Sequence, residues 1–186
     1  MLRNFIHIKD SFLNKNECNI VIDYYKNNSE KHSGKYGNYI AVDLSEDTLK
    51  NTDVFNFLKN RFQLELNEYI KLYPELNFVG PFRLNELRIK HWKPNKFFEK
   101  FHSEHCFESN LRILNFMIYL TEHKCGTQFL DKRIIKSETG RLVIMPSYFT
   151  HTHRGTPCPE KKDRYILSGY FHLEKKLKPS LIKYLL

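Results

Sequence analysis

The chain has no apolar run near the ~20 residues that a membrane span needs, and its opening Met1-Leu2-Arg3-Asn4 lacks the hydrophobic region of a signal peptide. A cytoplasmic protein without a membrane partner is therefore expected. Cysteine is scarce: Cys18, Cys106, Cys125 and Cys158 are the only four, and none falls in a C-x-x-C spacing. That pattern argues against a structural zinc site and, without a secretion signal, for reduced thiols. Internal repeats, linkers and low-complexity segments are lacking too. One domain over 1–186 is expected, long enough to bury an adequate core. Acidic residues are in deficit, 21 against 30 basic ones, which gives a formal net charge of +9. A basic excess can mark a nucleic-acid partner. Lysine supplies 21 of the 30 basic residues, however, and only Lys161-Lys162 and Lys175-Lys176 are adjacent. Scattered lysines read better as a solvated, compositional feature, so nucleic acid is not the expected partner.

What is present is 41% apolar and 15% aromatic, too much for a disordered chain. A short strand at 5–8 comes first. Asn14 with Glu17 three residues later has the pattern of a helix cap, and Ile20, Val21, Tyr24 and Tyr25 continue at helical spacing to give a helix of about 15–27. Residues 27–38, polar and carrying Gly34 and Gly37, read as a loop, and 39–44 as a strand. A second helix begins at Thr52 or Asp53, repeats apolar residues at Phe55, Leu58, Phe62, Leu66, Tyr69 and Ile70, and ends before Pro74. From about 84 the pattern turns to short runs at 84–92, 97–102, 111–120, 127–130, 133–135, 141–145 and 164–172. Runs at this spacing predict a sandwich or jelly roll. The basic-apolar tail 174–186 reads as a terminal helix after Pro179.

Two stretches carry candidate chemistry. In Phe101-His102-Ser103-Glu104-His105, a strand conformation would set His102 and Glu104 on one face, with Ser103 and His105 on the other. Two histidines and a carboxylate form a facial set that suits non-haem Fe(II). An H-x-E alone arises readily by chance, so the distal stretch His151-Thr152-His153-Arg154-Gly155 decides its weight. His151 and His153 compete for the third position, since both would lie on one strand face. Arg164 opens an apolar run; it is either solvated at a strand start or buried, and a buried guanidinium needs an anion.

Counted from His153, Pro157 follows by four and Arg164 by eleven. With this spacing the chain resembles the 2-oxoglutarate- and Fe(II)-dependent oxygenases, in their prolyl 4-hydroxylase-like branch. Arg112 with Tyr119-Leu120, Gly126-Thr127-Gln128-Phe129, and the run from Gly140 to Pro146 extend the resemblance, which covers 88–171 closely and 5–28 more loosely. Glu104 stands where the family usually has Asp, and Trp92 where it commonly has Tyr. The resemblance implies an α+β fold: a double-stranded β-helix (jelly-roll) core over about 81–173, braced by helical support in 1–80. It implies metal ligation by His102, Glu104 and His153, with His151 beside the pocket. It also implies that Arg164 clamps the far carboxylate of 2-oxoglutarate, with Tyr119, Ser168 and Trp92 as further contacts, although Tyr119 and Trp92 read equally well as packing. Fe(II), 2-oxoglutarate and O2 would be the cofactors, with ascorbate as an accessory. The implied activity is hydroxylation of a C–H bond, of a peptidyl prolyl residue above all, with release of succinate and CO2; a small-molecule substrate stays open. A cupin-like metal-binding protein would need the ligands but not Arg164. A nucleic-acid-modifying relative would carry a second Arg shortly after the clamp, and 165–174 has none.

Overall fold

The computed structural model describes residues 3–36, 39–44 and 53–174. Thr52, the end of the expected 27–38 loop and the helix expected after Pro179 lie outside them. The chain runs β1 (His7–Lys9), α1 (Lys15–Asn27), β2 (His32–Tyr36), β3 (Tyr39–Leu44), α2 (Asp53–Leu72), β4 (Phe82–Trp92), β5 (Arg112–Tyr119), β6 (His123–Phe129), β7 (Ile134–Ser137), β8 (Leu142–Pro146), β9 (His153–Gly155) and β10 (Arg164–Leu173). The strands form a seven-stranded sheet, β1-β8-β5-β10-β4-β3-β2, and a three-stranded sheet, β7-β6-β9. This is the jelly roll that the strand spacing predicts, with both helices on one side. No helix among the described residues is long and apolar enough to cross a membrane.

Local chemistry sets the helices. The Asn14 side chain accepts from Glu17 N at 3.0 Å, and the Glu17 carboxylate accepts from Asn14 N at 2.9 Å, so α1 starts where two otherwise orphaned amides are satisfied. Glu17 also holds Arg61 of α2 at 2.7 Å. Cys18, Val21, Ile22 and Tyr25 of α1, with Leu58, Phe62, Leu66 and Tyr69 of α2, form the helical half of the main core. The sheet's half comes from Leu114, Phe116 and Ile118 of β5 and Tyr165, Leu167 and Phe171 of β10. The alternate residues Met117, Tyr119 and Ile166 join Trp92, Phe129 and Met145 in a second cluster between the sheets. β5 is thus buried on both faces, and the hydrophobic run after Arg112 is broken only by Asn115, which lines the cavity.

One irregularity decides what the cavity sees. Between Ser168↔Arg88 and Tyr170↔Asn85, β4 carries one residue more than β10, and Glu86 adopts φ +54°. Such a bulge turns the strand's alternation by one position. Before it, Phe82 and Leu84 pack toward the helices; after it, Leu87 and Ile89 do. Arg88, Lys90 and Trp92 consequently face the other way. Elsewhere Gly140, at φ +78°, passes so close to α1's approach that a Cβ would lie 1.9 Å from the Leu13 carbonyl oxygen.

Two expectations are corrected. Residues 97–102 form no strand: Lys93–Lys96 is a turn with Asn95 at φ +64°, and the following segment is extended coil pinned by Gly155 N donating to Phe98 O at 2.9 Å. Residues 27–38 are not all loop. Ser29–Lys31 is a helical turn, and β2 pairs with β3 through His32↔Val42 and Ser33↔Ala41. β2 is the edge strand, and its hydrogen bonds come from β3, a pairing that local composition did not signal.

Candidate active site

His102 and His153 face each other across an isolated antiparallel bridge, with His102 N donating to His153 O at 3.0 Å and His153 N to His102 O at 2.9 Å. Glu104 is not in a strand, which corrects the same-face argument. It sits in a bend where Glu104 N and His105 N both donate to the Ser147 carbonyl, at 3.0 and 2.9 Å. That remote carbonyl, rather than strand pleating, aims the carboxylate. His105 instead packs its ring on Tyr148, 4.5 Å between centroids.

The ligand atoms of His102, Glu104 and His153 lie within 4.8 Å of one another. Glu104 Oε1 is 3.3 Å from His102 Nε2 and 3.9 Å from His153 Nε2. Each imidazole spends its Nδ1 on a backbone carbonyl: His102 on Lys100 O at 3.1 Å, His153 on His151 O at 2.9 Å. With Nδ1 donating, a neutral ring presents Nε2 as a lone pair. Burial, then the charge of His102 beside it, lowers the His153 pKa to about 4, so that ring is neutral near pH 7. Burial opposes ionisation of Glu104, yet the His102 bond and the positive charges of Lys90, His102 and His153 hold its carboxyl well below the usual carboxylate range. Two Nε2 atoms and one carboxylate oxygen thus converge on a single point, with both Nδ1 atoms already committed to backbone carbonyls. A divalent cation would replace the protons these groups otherwise share, and the donor set fits Fe(II).

Glu104 Oε2 accepts the Tyr170 hydroxyl at 2.5 Å, and Arg112 Nη1 stands 3.9 Å away. Arg112 lies over the Tyr170 ring at 4.0 Å and is paired with Glu86, which also meets His172 Nε2 at 3.0 Å. These side chains leave Oε1 as the oxygen turned to the histidines. Tyr170 was legible only through parity: it lies on the same face of β10 as Arg164, Ile166 and Ser168. Lys90, two residues before Trp92 on β4, lines the same cavity, and burial lowers its pKa.

His151 does not share a strand face with His153, a second correction. It closes the helical turn Phe149–His151, and its Nε2 meets Asn4 O at 2.8 Å on the far side of the segment. His153 alone of the pair lines the cavity.

That cavity, about 530 Å³, also receives Arg164, Trp92 and Ser168. Arg164 is only 4% exposed and has no carboxylate partner among the described residues. Burial lowers its pKa, Nε is without a hydrogen bond, and the guanidinium lies 4.7 Å over the Trp92 ring. Its Nη1 rests against Cys125 Sγ at 3.4 Å and Cys158 Sγ at 3.6 Å. Those two cysteines form a disulfide, contrary to the expectation of reduced thiols, while Cys18 and Cys106 are free. A separation of 33 residues gave no sign that β6 and the segment after β9 meet. Tyr119 stands one layer behind the cavity wall: its hydroxyl donates to Thr127 Oγ1 at 2.7 Å, and Thr127 is the lining residue.

Residues 87–172 match the family model of the 2OG-Fe(II) oxygenase superfamily. No curated protein matches the sequence. Among solved structures, the chain is similar to the viral collagen prolyl hydroxylase of Paramecium Bursaria Chlorella virus-1 in its 2OG complex, at 16% identity and TM-score 0.68, with 92% of this chain and 97% of that one covered. A Trichoplax adhaerens prolyl hydroxylase, in complex with a hypoxia inducible factor oxygen degradation domain peptide fragment, superposes at TM-score 0.67 and 13% identity, covering 91% and 84%. The non-heme alpha ketoglutarate dependent epimerase SnoN from nogalamycin biosynthesis does so at TM-score 0.67 and 14% identity, covering 92% and 78%.

Proposed function

We propose that this chain, a 2-oxoglutarate-dependent dioxygenase whose residues 87–172 carry the 2OG-Fe(II) oxygenase superfamily match, hydroxylates a C–H bond of a peptidyl residue, prolyl above all. The observation that carries the reading is a buried, carboxylate-free Arg164 in the same cavity as the three converging donors. A metal-binding jelly roll without oxygenase chemistry has no need of that guanidinium. An anionic co-substrate does.

His102, Glu104 and His153 would hold Fe(II), and Arg164 the far carboxylate of 2-oxoglutarate, with Ser168 and Trp92 beside it and Tyr119 acting through Thr127. Bound together, the metal and co-substrate supply oxidation by O2, one oxygen atom passing to the substrate and the other to succinate as CO2 leaves. The protein's own work is positional. The Nδ1 bonds to Lys100 O and His151 O fix both imidazole tautomers, and Tyr170 restrains the carboxylate. Arg164, 4% exposed and stacked over Trp92, lies in a low-dielectric setting that would strengthen the guanidinium–carboxylate contact. A peptide substrate is supported by the prolyl hydroxylases of the same fold, one of them holding a peptide.

The test supplies Fe(II), 2-oxoglutarate and a library of proline-containing peptides, then reads peptides gaining one oxygen by mass spectrometry alongside succinate. Hydroxylated peptides at yields matching succinate are the expected result. A second reading, a small-molecule substrate, is favoured by the epimerase that shares the fold. Succinate release that no peptide increases would move the assignment there, and the absence of any 2-oxoglutarate turnover would end the oxygenase reading.

A further inference from the structure

A second group of ligand-type side chains converges behind Arg164. His123, Cys125 and Cys158 place their ligand atoms within 4.8 Å of one another. His123 and Cys125 lie two apart on β6, and both are buried. Cys158 comes from the segment after β9 and brings Glu160 two residues on. The sequence therefore pairs an H-x-C with a C-x-E, a spacing that a search for C-x-x-C passes over.

Beside this group, buried His123 Nδ1 and Glu160 Oε2 are without a hydrogen bond and have only a long ion-pair contact with each other, at 3.9 Å. Their opposite ends are anchored: His123 Nε2 meets Thr121 Oγ1 at 3.2 Å, and Glu160 Oε1 accepts Lys124 N at 2.8 Å. An imidazole with one nitrogen tied down and the other aimed inward is the usual arrangement of a metal ligand. A contact that long satisfies neither of these buried polar atoms well.

We propose that His123, Cys125, Cys158 and Glu160 form a second metal site, taking one divalent cation of the zinc class when the disulfide is reduced. Two thiolates, an imidazole and one carboxylate oxygen form a tetrahedral set that selects zinc over the harder cations. Charge closes as well: two thiolates and a carboxylate carry −3, the cation +2, and Arg164, whose Nη1 already rests on both sulfurs, supplies the last positive charge. The oxidised pair seen here cannot bind. Two equivalents of a low-molecular-weight thiol open it, giving the dithiol and the reductant's own disulfide, and the cation then displaces the two thiol protons. Either state ties β6 to the segment leading into Arg164. The inference shares Arg164 with the oxygenase reading, but its test is separate, because the first site contains no sulfur.

The test is anaerobic titration of the iron-free, thiol-reduced full chain with Co(II), used as a spectroscopic probe for zinc. An intense near-ultraviolet thiolate-to-cobalt band is expected, bleached by Zn(II) and saturating at one Co(II) per chain in His153→Ala, where the first site no longer competes for the metal. It should vanish in Cys125→Ser and Cys158→Ser, persist in Cys106→Ser and His153→Ala, and require about 10–100-fold more metal in Glu160→Gln. Should the cysteine variants fail to fold, wild type alone decides: oxidation to the disulfide must abolish the band and reduction restore it. No thiolate band in the reduced protein, or one that survives both cysteine substitutions or re-oxidation, overturns the proposal.

Discussion

Replacing Arg164 with alanine tests the co-substrate clamp most directly. The guanidinium is 4% exposed, stacks 4.7 Å over Trp92 and touches two disulfide sulfurs, and no partner there carries a full negative charge. A desolvated charge in that state gains most when a carboxylate arrives. Losing a buried charge-assisted contact costs about 2–5 kcal/mol. At about 1.4 kcal/mol per decade, KM for 2-oxoglutarate should rise about 30-fold to about 4,000-fold. Arg164→Lys should fall between, keeping the charge but losing the two-pronged geometry. Folding stability without co-substrate should change less than for a broken ion pair, because no ion pair is broken; the loss is packing on Trp92. Succinate release titrated with 2-oxoglutarate gives KM. The co-substrate's thermal shift, worth about 2.7 kcal/mol at a hundredfold excess over Kd in wild type, should fall below about 1 kcal/mol in Arg164→Ala. Bound metal should stay the same, since Arg164 makes no hydrogen bond to His102, Glu104 or His153. An unchanged KM and thermal shift in a folded, metal-loaded variant would refute the reasoning.

Alanine at His102, Glu104 or His153 should abolish stoichiometric Fe(II) or Mn(II) by elemental analysis, whereas His151→Ala should spare it because its ring serves Asn4; the reverse pattern for the two histidines would sink the assignment. Tyr170→Phe removes the hydroxyl from Glu104 and should weaken Fe(II) binding about 10–100-fold with the fold intact, so equal affinity would show the carboxylate to be positioned by other means. His172, and after burial's opposing effect Arg112, lower the Glu86 carboxyl from 4.5 to about 2, so its stabilising contribution is complete above about pH 4.5 and is lost as pH falls toward 2. With that side chain 36% exposed the contribution is only about 1 kcal/mol, and Glu86→Gln should erase it in urea unfolding at pH 6 while making less difference at pH 3. Gly126→Ala would place a Cβ 1.9 Å from the Ile135 carbonyl oxygen and should cost at least about 3 kcal/mol on thermal unfolding; a neutral result would mean that β6 and β7 separate freely.

Legibility followed the range of the interactions involved. α1 was readable to the residue because a capping box starts it, and α2 because its apolar residues recur over five turns. The strand alternation of β10 put Arg164 and Ser168 on one face, and the cavity receives both. What the sequence hid is held by distant carbonyls. Ser147 O shapes the bend at Glu104, Phe98 O anchors β9 in place of a strand at 97–102, and Asn4 O draws His151 away from His153. No local pattern encodes those bonds. The meeting of Cys125 with Cys158 likewise depends on two segments that only the closed β-helix brings together.

The supernumerary residue at Glu86 reaches beyond its own turn. It acts as a phase marker: one strand is read in two frames, with even positions feeding the helix-packed interior before it and furnishing the cavity after it. Substitutions at 88, 90 and 92 can therefore retune what the cavity accepts while the apolar frame at 87 and 89 stays untouched. A single-residue deletion between 85 and 87 would do the opposite, turning Arg88, Lys90 and Trp92 inward together and Leu87 and Ile89 outward. Point changes along β4 are thus a graded means of altering specificity, whereas a length change there is all-or-none.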